Sequence, residues 1–320
     1  MKDAKSIAVV FPGQGSQRSG MGKDFYEQIS VCREIYEEAA DALGWDVSHM
    51  CFGEDERLNL TEYTQPCIVT TEIAMLRGLS NRYGFASEYF GGHSLGEFTA
   101  LVAAGVMSLA ETLKIVQTRG KLMQEAVPVG VGGMAAIISE NIDIDLLKKL
   151  MEDLPADVAN INSANQVVIS GDLSALPEIE KRLAQTFGAE KPFRFIRLNV
   201  SAPFHSRLMK SIENRFADTL EKFGKNVKPQ NASRVTSNFT GGFHSDDIPG
   251  IREKLVNQIS NTVHWRDNMQ SLAAKAGEIY EIGPGRPLRD FFKTIGVTCQ
   301  SITGLASAEK VFSGSRQDGI

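Results

Sequence analysis

The sequence lacks any long hydrophobic run. Its longest apolar stretches, Ile7–Phe11, 101–104 and 135–138, hold four or five residues each, whereas a helix that spans a membrane needs about 20 apolar residues. The stretch after the N-terminal charges ends at Pro12-Gly13, too early for a signal peptide, and no cleavage site of small residues follows it. We therefore expect a cytoplasmic protein without a membrane partner.

An excess of positive charge is also missing. The chain has 34 Lys and Arg residues against 39 Asp and Glu residues, which gives a formal net charge of −5. Proteins that bind nucleic acid phosphates normally carry a basic balance or a basic stripe, so we expect no nucleic acid partner. Only four cysteines are present, with no C-x-x-C pair and no metal-ligand spacing, which indicates free thiols and no metal site. They are Cys32, Cys51, Cys67 and Cys299.

The sequence does contain an alternation of strand-like and helix-like segments. Its 320 residues correspond to one large or two medium domains. Ile7–Phe11 is apolar on both faces, as in a strand inside a parallel sheet, and a glycine-containing loop ends it. The alternation predicts a parallel α/β core. Outside 134–198, the predicted strands are 7–11, 89–91, 234–237 and 278–282, and the predicted helices are 24–43, 65–82, 95–104, 109–127, 206–223, 250–260 and 265–276.

Residues 134–198 have a pattern of their own. Short apolar runs and two helical segments follow the order β-α-β-β-α-β, which is the ferredoxin-like arrangement. Asp172 is suited to cap the second of these helices. Such a unit closes its own core, and the flanking segments 130–133 and 200–203 would be its hinges. The predicted strands are 134–138, 158–161, 166–170 and 193–198, and the predicted helices are 142–151 and 174–187.

One short motif combines a reactive side chain with two glycines. Gly92-His93-Ser94-Leu95-Gly96 fits G-x-S-x-G between a predicted strand and a predicted helix, which is the context of a nucleophile elbow. The turn lifts the Ser94 hydroxyl out of the sheet, and the glycines remove Cβ atoms that would clash. The N–H of Leu95, at the start of the helix, is placed to donate to an oxyanion. The motif predicts a nucleophile, against the alternative of a structural turn with a surface serine.

A serine nucleophile needs a base, and the chain has five histidines. His205 is the best candidate because it follows a predicted strand, and α/β folds collect catalytic groups at the carboxyl ends of strands. His93 adjoins Ser94, but its side chain must point away from the serine hydroxyl. The other histidines are His49, without partners nearby in sequence, His244, beside a solvated acidic loop, and His264, at a helix start.

The loop Gly13-Gln14-Gly15 does not fit a phosphate-binding loop. The pattern G-x-G-x-x-G requires glycine where Arg18 stands, and no Gly-Lys-Ser/Thr triplet follows. A glycine loop after the first strand instead offers a second oxyanion N–H.

Arg119 follows Ser94 by 25 residues, in the second half of the next predicted helix. By position alone, a surface side chain is the simpler interpretation. Turned inward, the guanidinium would place a positive charge near the nucleophile, and arginine binds carboxylates in a planar, bidentate way. Position therefore leaves both interpretations open.

Taken together, these motifs resemble the malonyl-CoA:acyl carrier protein transacylase family, which includes fatty-acid synthesis enzymes and the free-standing acyltransferases of polyketide synthases. The resemblance spans residues 5–305, and its motifs occur in the right order. They are Phe11-Pro12-Gly13-Gln14-Gly15-Ser16-Gln17, Gly92-His93-Ser94-Leu95-Gly96-Glu97, Thr118-Arg119-Gly120, Gln124-Glu125-Ala126-Val127-Pro128, Asn162-Ser163, Gln166-Val167-Val168-Ile169-Ser170-Gly171, Pro203-Phe204-His205-Ser206 and Gly283-Pro284-Gly285.

The resemblance implies a ping-pong transfer of a malonyl group from malonyl-CoA to the phosphopantetheine thiol of an acyl carrier protein. Ser94 would form the acyl-enzyme with His205 as base, and the N–H groups of Gln14 and Leu95 would hold the oxyanion. Coenzyme A is then part of a substrate, and we expect no cofactor and a monomeric protein.

The resemblance also assigns three binding or orienting residues. Arg119 would hold the free carboxylate of the malonyl group. The backbone carbonyl of Gln258 would orient the histidine, which accounts for the lack of an acidic third member. Phe204, before the histidine, accompanies malonyl rather than branched acyl groups in related polyketide enzymes, since its ring fills the space beside the α-carbon.

Three other functions share parts of this pattern. An acyl hydrolase on the same scaffold would clear acyl groups from carrier proteins, but such relatives tend to lack the arginine. A generic esterase would carry an acid between serine and histidine, and a non-catalytic carrier-protein docking module would not keep every site residue.

The expected fold is an α/β-hydrolase-like parallel-sheet domain, residues 1–129 plus 200–312, with a ferredoxin-like subdomain inserted at 130–199. Residues 313–320 are expected to form a flexible tail, and the site would lie in the cleft between the two units. Because carrier proteins are acidic and the chain is too, docking needs a local basic patch. Its candidate residues are Arg194, Arg207, Lys210 and Arg286.

Overall fold

The computed structural model describes residues 6–188 and 191–314. In these two ranges, eight strands form two separate four-stranded sheets. The strands are β1 (Ile7–Phe11), β2 (Tyr89–Gly92), β3 (Gly132–Ser139), β4 (Ala156–Ile161), β5 (Gln166–Asp172), β6 (Phe193–Arg197), β7 (Glu278–Ile282) and β8 (Cys299–Ile302).

Thirteen α-helices lie in the same ranges, and none of them is both long and apolar enough to cross a membrane. Short 3₁₀ helices cover Glu56–Asn59, Arg207–Ile212 and Pro229–Arg234. The α-helices are α1 (Lys23–Gln28), α2 (Ser30–Leu43), α3 (Val47–Phe52), α4 (Thr61–Tyr83), α5 (Gly96–Ala103), α6 (Leu109–Glu125), α7 (Ile144–Leu150), α8 (Leu176–Phe187), α9 (Glu213–Phe223), α10 (Ile248–Asn257), α11 (Trp265–Ala273), α12 (Pro287–Lys293) and α13 (Leu305–Gly314).

The first sheet is parallel, in the order β2-β1-β7-β8. Alternate residues of β1 pack into two different hydrophobic clusters, Val9 and Phe11 on one face and Ala8 and Val10 on the other. Both faces of the strand are therefore buried, which explains its uninterrupted apolar sequence. This sheet and its helices confirm the predicted parallel α/β body, which we call the larger body.

The second sheet is antiparallel, in the order β4-β5-β3-β6. Its strands and the helices α7 and α8 follow the predicted β-α-β-β-α-β order, so the ferredoxin-like subdomain is confirmed. One face packs on both helices in a core of its own, while Met134, Ala136 and Val168 on the other face pack into the larger body. The sheet and its helices span 132–197, inside the segment expected for the insert.

The two units are joined by backbone hydrogen bonds as well as by the chain. The N–H of Val263 donates to Ala159 O and the N–H of Ile161 donates to Val263 O, which extends the β4 edge into the larger body. The chain enters the small subdomain near Gly132 and leaves it near Pro203, and these two segments pass close to each other. A Cβ on Gly132 would lie 2.3 Å from the Pro203 ring, so glycine is required there.

Three predicted elements were wrong in detail. The expected helix 24–43 is two helices, because the backbone of Ile29 is extended and ends the first one. The Arg33 side chain donates hydrogen bonds to the carbonyls of Tyr26 and Glu27 in the last turn of that first helix. The expected helix 206–223 begins as a 3₁₀ helix. The expected strand 234–237 makes only single bridges, at Val235 and Thr236, because the chain folds back on itself directly afterwards.

Several elements were not predicted. Helices α3 and α12 are short, and β8 and α13 lie in the C-terminal segment after 282, for which no helix or strand was predicted. Helix α13 extends to Gly314, two residues into the segment expected to be a tail. The rest of that expected tail, 315–320, lies outside the described residues.

Candidate active site

Ser94 stands in a tight turn between β2 and α5. A Cβ on Gly92 would lie 2.0 Å from the carbonyl carbon of Gly96, and a Cβ on Gly96 would lie 2.2 Å from the carbonyl oxygen of Phe11. Both glycines of the motif are therefore required by close backbone contacts. Ser94 itself has φ 50°, a left-handed conformation that non-glycine residues adopt at a cost. The geometry is that of a nucleophile elbow.

His205 is the histidine that reaches this serine. Its Nε2 lies 2.7 Å from Ser94 Oγ, and its Nδ1 lies 2.7 Å from the backbone oxygen of Gln258. Like Ser94, it has a positive φ, 57°. Burial lowers the pKa of the imidazole from 6.5 to about 3, with a further contribution from the positive charge of Arg119. A neutral imidazole beside the hydroxyl is poised to accept its proton.

Arg119 points inward. The side chain is 1% exposed, and its guanidinium lies 5.3 Å from the centre of the Phe98 ring. Nη2 donates to Ser94 Oγ at 3.2 Å and to the Gln258 side chain at 2.9 Å, while Nη1 donates to Gln65 at 3.0 Å. Burial lowers the pKa of the guanidinium to about 10, so it remains charged at neutral pH. Of the two interpretations left open by position, the inward one is observed.

The Gly13-Gln14-Gly15 loop presses against the elbow. A Cβ on Gly13 would lie 2.4 Å from the His93 carbonyl oxygen, so only glycine allows this approach. Gln14 is fixed by a hydrogen bond from its Nε2 to Thr61 Oγ1 at 3.2 Å. Within the described ranges, the N–H groups of Gln14 and Leu95 donate to no protein acceptor. Two backbone donors thus flank the serine without an assigned partner.

Phe204 precedes the histidine in the sequence, and a cavity adjoins the histidine in space. The Phe204 side chain is 9% exposed and packs in the main hydrophobic cluster of the larger body. A cavity of about 430 Å³ between the small subdomain and residues 260–262 is lined in part by His205. Arg207 and Lys210 also line this cavity, but they pair with Asp157 and Glu213, each at 2.7 Å.

The remaining histidines lie away from the serine hydroxyl. His93 turns from Ser94, as expected, and its Nε2 lies 2.8 Å from Asn162 Oδ1 of the small subdomain. His264 stands at the start of α11, and His49 lies in α3. His244 was expected beside a solvated acidic loop. Its side chain is instead fully buried against Glu97.

Sequence reasoning missed several polar residues around the dyad. Glu97, Asn238 and His244 are buried beneath Ser94, where Glu97 is hydrogen-bonded to both of the others. Gln65 accepts a hydrogen bond from Arg119. Glu97 carried one usable signal. It is the only charged residue of the apolar helix Gly96–Ala103, where a solvated side chain has no face to occupy.

The described residues contain no group of His, Cys, Asp and Glu side chains able to hold a metal ion. All four cysteines are buried free thiols, as expected. Burial raises the pKa of the Cys32 thiol to about 12, which suits a packing role rather than a reactive one.

The fold and the site together define a class. The protein has a parallel α/β body, a serine at a nucleophile elbow, a histidine hydrogen-bonded to that serine and, in the described part of the chain, backbone N–H groups free to hold an oxyanion. This combination is typical of enzymes that transfer acyl groups. The Acyl transferase domain family matches residues 8–283, and the chain belongs to this family. The protein is therefore an acyltransferase, as the sequence motifs predicted.

Individual proteins of this family are similar to the chain in sequence and in structure. The malonyl CoA-acyl carrier protein transacylase of Bacillus subtilis (strain 168) is 36% identical over 303 residues, which cover 92% of each chain. The crystal structure of the enzyme of that name from Clostridium perfringens aligns with a TM-score of 0.88 at 34% identity over 98% of each chain. The malonyl-transacylase PlMCAT, in complex with the type II PKS acyl-carrier protein AntF, aligns with a TM-score of 0.86 at 33% identity over 97% of this chain and 99% of that one.

Proposed function

We propose that the protein transfers a malonyl group from malonyl-CoA through an acyl-enzyme on Ser94 to the phosphopantetheine thiol of an acyl carrier protein. The observation that carries the proposal is the buried guanidinium of Arg119, 3.2 Å from Ser94 Oγ. In the described part of the chain, no carboxylate lies within ion-pair distance of it. A buried positive charge without a direct ion-pair partner, beside the nucleophile, favours an acyl group that carries its own carboxylate.

In the first half-reaction, the Ser94 hydroxyl gives its proton to His205 Nε2 as its oxygen attacks the thioester carbonyl. The N–H groups of Gln14 and Leu95 stabilise the resulting oxyanion. The tetrahedral intermediate then collapses, the carbon–sulfur bond breaks, and the coenzyme A thiol leaves with the proton from His205. The malonyl ester of Ser94 remains, with its carboxylate on Arg119.

In the second half-reaction, the carrier protein's phosphopantetheine thiol enters. His205 removes the thiol proton while the sulfur attacks the ester carbonyl, and the same N–H groups hold the oxyanion. Ser94 leaves and regains its proton from His205. The two substrates therefore use one site in turn, which is ping-pong kinetics.

Gln258 gives the histidine its orientation in this scheme. The N–H at His205 Nδ1 donates to the Gln258 carbonyl at 2.7 Å, which leaves Nε2 free to accept the serine proton. A neutral carbonyl stabilises the imidazolium less than a carboxylate would.

The partner and the acyl group follow from chemistry and from the relatives. PlMCAT binds an acyl-carrier protein, and the Bacillus subtilis relative is named for malonyl CoA and acyl carrier protein. For docking, Arg194 and Arg286 are the better candidates of the four basic residues, because both are exposed and neither takes part in an ion pair within the described ranges. We assign Phe204 to malonyl selectivity, through its bulk beside the histidine.

The proposed division of the chain places Ser94 and Arg119 before the small subdomain and His205 directly after it. The larger body is 1–129 plus 200–312 and the small subdomain is 130–199. We further propose that the protein acts as a cytoplasmic monomer without a cofactor, in fatty acid or polyketide synthesis.

Intact-mass measurement tests this function. The protein is incubated with malonyl-, methylmalonyl- or acetyl-CoA, and a phosphopantetheinylated carrier protein is then added. We expect one malonyl group on the protein, which then moves to the carrier. Loss of the malonyl group to water with no gain on the carrier would make the protein a hydrolase, and an absence of any adduct would leave a docking module.

A further inference from the structure

Glu97 is a fully buried carboxylate one turn beyond the nucleophile. Its Oε1 lies 2.7 Å from His244 Nε2. Its Oε2 accepts three hydrogen bonds, from the Asn238 backbone N–H at 2.9 Å, from Asn238 Nδ2 at 2.6 Å and from Gln258 Nε2 at 2.7 Å. A buried charge is tolerated only where such partners satisfy it, so this set of contacts has one well-defined arrangement.

Asn238 links Glu97 to the nucleophile turn. Its Oδ1 accepts a hydrogen bond from the Ser94 N–H at 3.1 Å, and its Nδ2 also donates to Gly92 O at 2.7 Å. The two backbone groups that bracket the strained elbow are therefore held by one side chain, and Glu97 fixes the orientation of that side chain.

Gln258 links Glu97 to the rest of the site. Its Nε2 donates to Ser94 O at 2.9 Å as well as to Glu97, and its Oε1 accepts from Arg119 Nη2 at 2.9 Å. The carbonyl of this same residue accepts the hydrogen bond from His205 Nδ1. The residue that orients the base is thus itself oriented by Glu97.

The charges in this region complement one another. Arg119 is buried and positive, and the nearby Glu97 charge raises the guanidinium pKa against the effect of burial. Proton transfer from Ser94 would create a second positive charge, the His205 imidazolium, whose Nδ1 is hydrogen-bonded to the neutral carbonyl of Gln258. Glu97 contacts neither the serine hydroxyl nor the imidazole, so it acts through other residues.

We propose that Glu97 is a positioning residue that holds the serine elbow and the histidine in their relative positions through Asn238 and Gln258. Through Gln258, which lies between them, it also supplies the negative charge that the Ser94–His205 pair lacks. The inference rests on the proposed acyl-enzyme chemistry. No carboxylate is hydrogen-bonded to His205 in the described residues, but Glu97 is bonded to the residues that position the Ser94–His205 pair.

Glu97→Gln tests the charge, and Glu72→Gln is its matched control. Glu72 is also fully buried and accepts a hydrogen bond from Thr99, and among the described residues it has no hydrogen bond with Ser94, His205, Asn238 or Gln258. Burial raises the pKa of the Glu72 carboxyl well above its usual value, and Glu72→Gln makes the same Glu-to-Gln exchange at a buried carboxyl. Glu97→Gln puts a neutral amide in place of the carboxylate, in either orientation of the amide.

Two rates are measured for each variant. One is the acylation rate at saturating malonyl-CoA, and the other is the inactivation rate with an uncharged fluorophosphonate, which needs the dyad but offers no carboxylate to Arg119. We expect Glu97→Gln to lower both by about 10- to 100-fold, the loss typical when a group that orients a site residue is removed. The KM for malonyl-CoA should change by less than about threefold, and Glu72→Gln should keep both rates within about twofold of the wild type.

Gln258→Met gives a second measurement in case Glu97→Gln does not fold. It removes the side-chain amide but keeps the carbonyl that faces His205, and we expect it to slow fluorophosphonate inactivation by a similar factor. Thermal unfolding and circular dichroism identify the variants that are folded.

The outcomes separate this inference from the proposed function. Folded Glu97→Gln or Gln258→Met with wild-type fluorophosphonate reactivity would overturn the positioning role. A loss confined to malonyl-CoA would also overturn it, because Glu97 would then act on Arg119 alone. If the wild-type protein is not labelled at Ser94 at all, it is the proposed function that fails.

Discussion

The larger body and the small subdomain bury different kinds of residue. The larger body buries ionisable side chains, among them Glu97, Arg119, His205 and His244, beside the strained residue Ser94. In the described part of the small subdomain, the buried polar residues are all serines and asparagines, and its core is aliphatic with a few aromatic and Met side chains.

This difference separates two structural tasks. A hydrophobic core gains stability from area and shape, and it tolerates exchange of one apolar residue for another. A buried polar network is stabilising only when every member keeps its partners, and in return it holds side chains in one geometry. The chemistry should therefore depend on single atoms of the larger body, while the small subdomain contributes mainly packing and the cover of the cleft.

The largest loss should follow removal of the base from the larger body. We expect His205→Ala to slow acylation by on the order of 10⁴-fold, because no other histidine reaches Ser94 Oγ. Rapid-quench measurement of the acyl-enzyme gives the rate. His264→Ala, at the half-exposed start of α11, is the control and should stay near wild type. Equal rates for the two variants would contradict the assignment of His205 as the base.

Arg119→Ala should discriminate between acyl groups. We expect malonyl transfer to fall by about 100-fold, since the variant leaves the malonyl carboxylate buried without a partner. Acetyl transfer carries no such carboxylate and should fall much less. Comparing kcat/KM for the two thioesters measures the effect, and equal losses for both would rule out a carboxylate clamp.

A packing defect in the small subdomain should have the opposite profile. Leu183 in α8 is fully buried in that subdomain's core, and we expect Leu183→Ala to lower the free energy of unfolding by about 2 to 5 kcal/mol. Acylation per folded molecule should stay near wild type. Leu173→Ala, at a 37% exposed position, should cost less than about 1 kcal/mol. A large loss of acylation in folded Leu183→Ala would show that the small subdomain shares in the chemistry.

The smallest effect on the acylation rate is expected from a lower pH. The base must be neutral to act, and burial lowers the His205 pKa from 6.5 to about 3. The acylation rate of folded protein should therefore stay flat between about pH 8 and about pH 5.5. An inflection near pH 6.5 in rapid-quench data would contradict this assignment.

Stability should depend on acid even where the rate does not. Unfolded His205 takes up a proton near pH 6.5 while the folded protein does so only near pH 3, so stability falls as pH drops through that window. Denaturant unfolding at several pH values measures the slope, and His205→Ala should lessen it.

Local patterns predicted the elements and motifs, but not every orientation. The period-2 and helical patterns of 134–198 were enough for the ferredoxin-like unit, and G-x-S-x-G was enough for the elbow. The direction of Arg119 was open because a helix position alone does not show which face is covered. The strand expected at 234–237 makes only single bridges, at Val235 and Thr236, because the chain folds back directly afterwards.

The polar network could not be derived from spacing. Glu97 meets Asn238, His244 and Gln258 across 141 to 161 residues of sequence, and no short-range pattern encodes contacts that far apart. The Gln258 role came from family resemblance, whereas the Glu97 contacts appeared only with the fold.

The central claim is that Ser94 carries the acyl group between two thiols. Intact-mass measurement of the wild type and of Ser94→Ala, each quenched in acid after incubation with malonyl-CoA, tests it most directly. We predict one malonyl group on the wild type, located by peptide mapping at Ser94, and none on Ser94→Ala. A Ser94→Ala protein that gains the malonyl group as readily as the wild type would contradict the account.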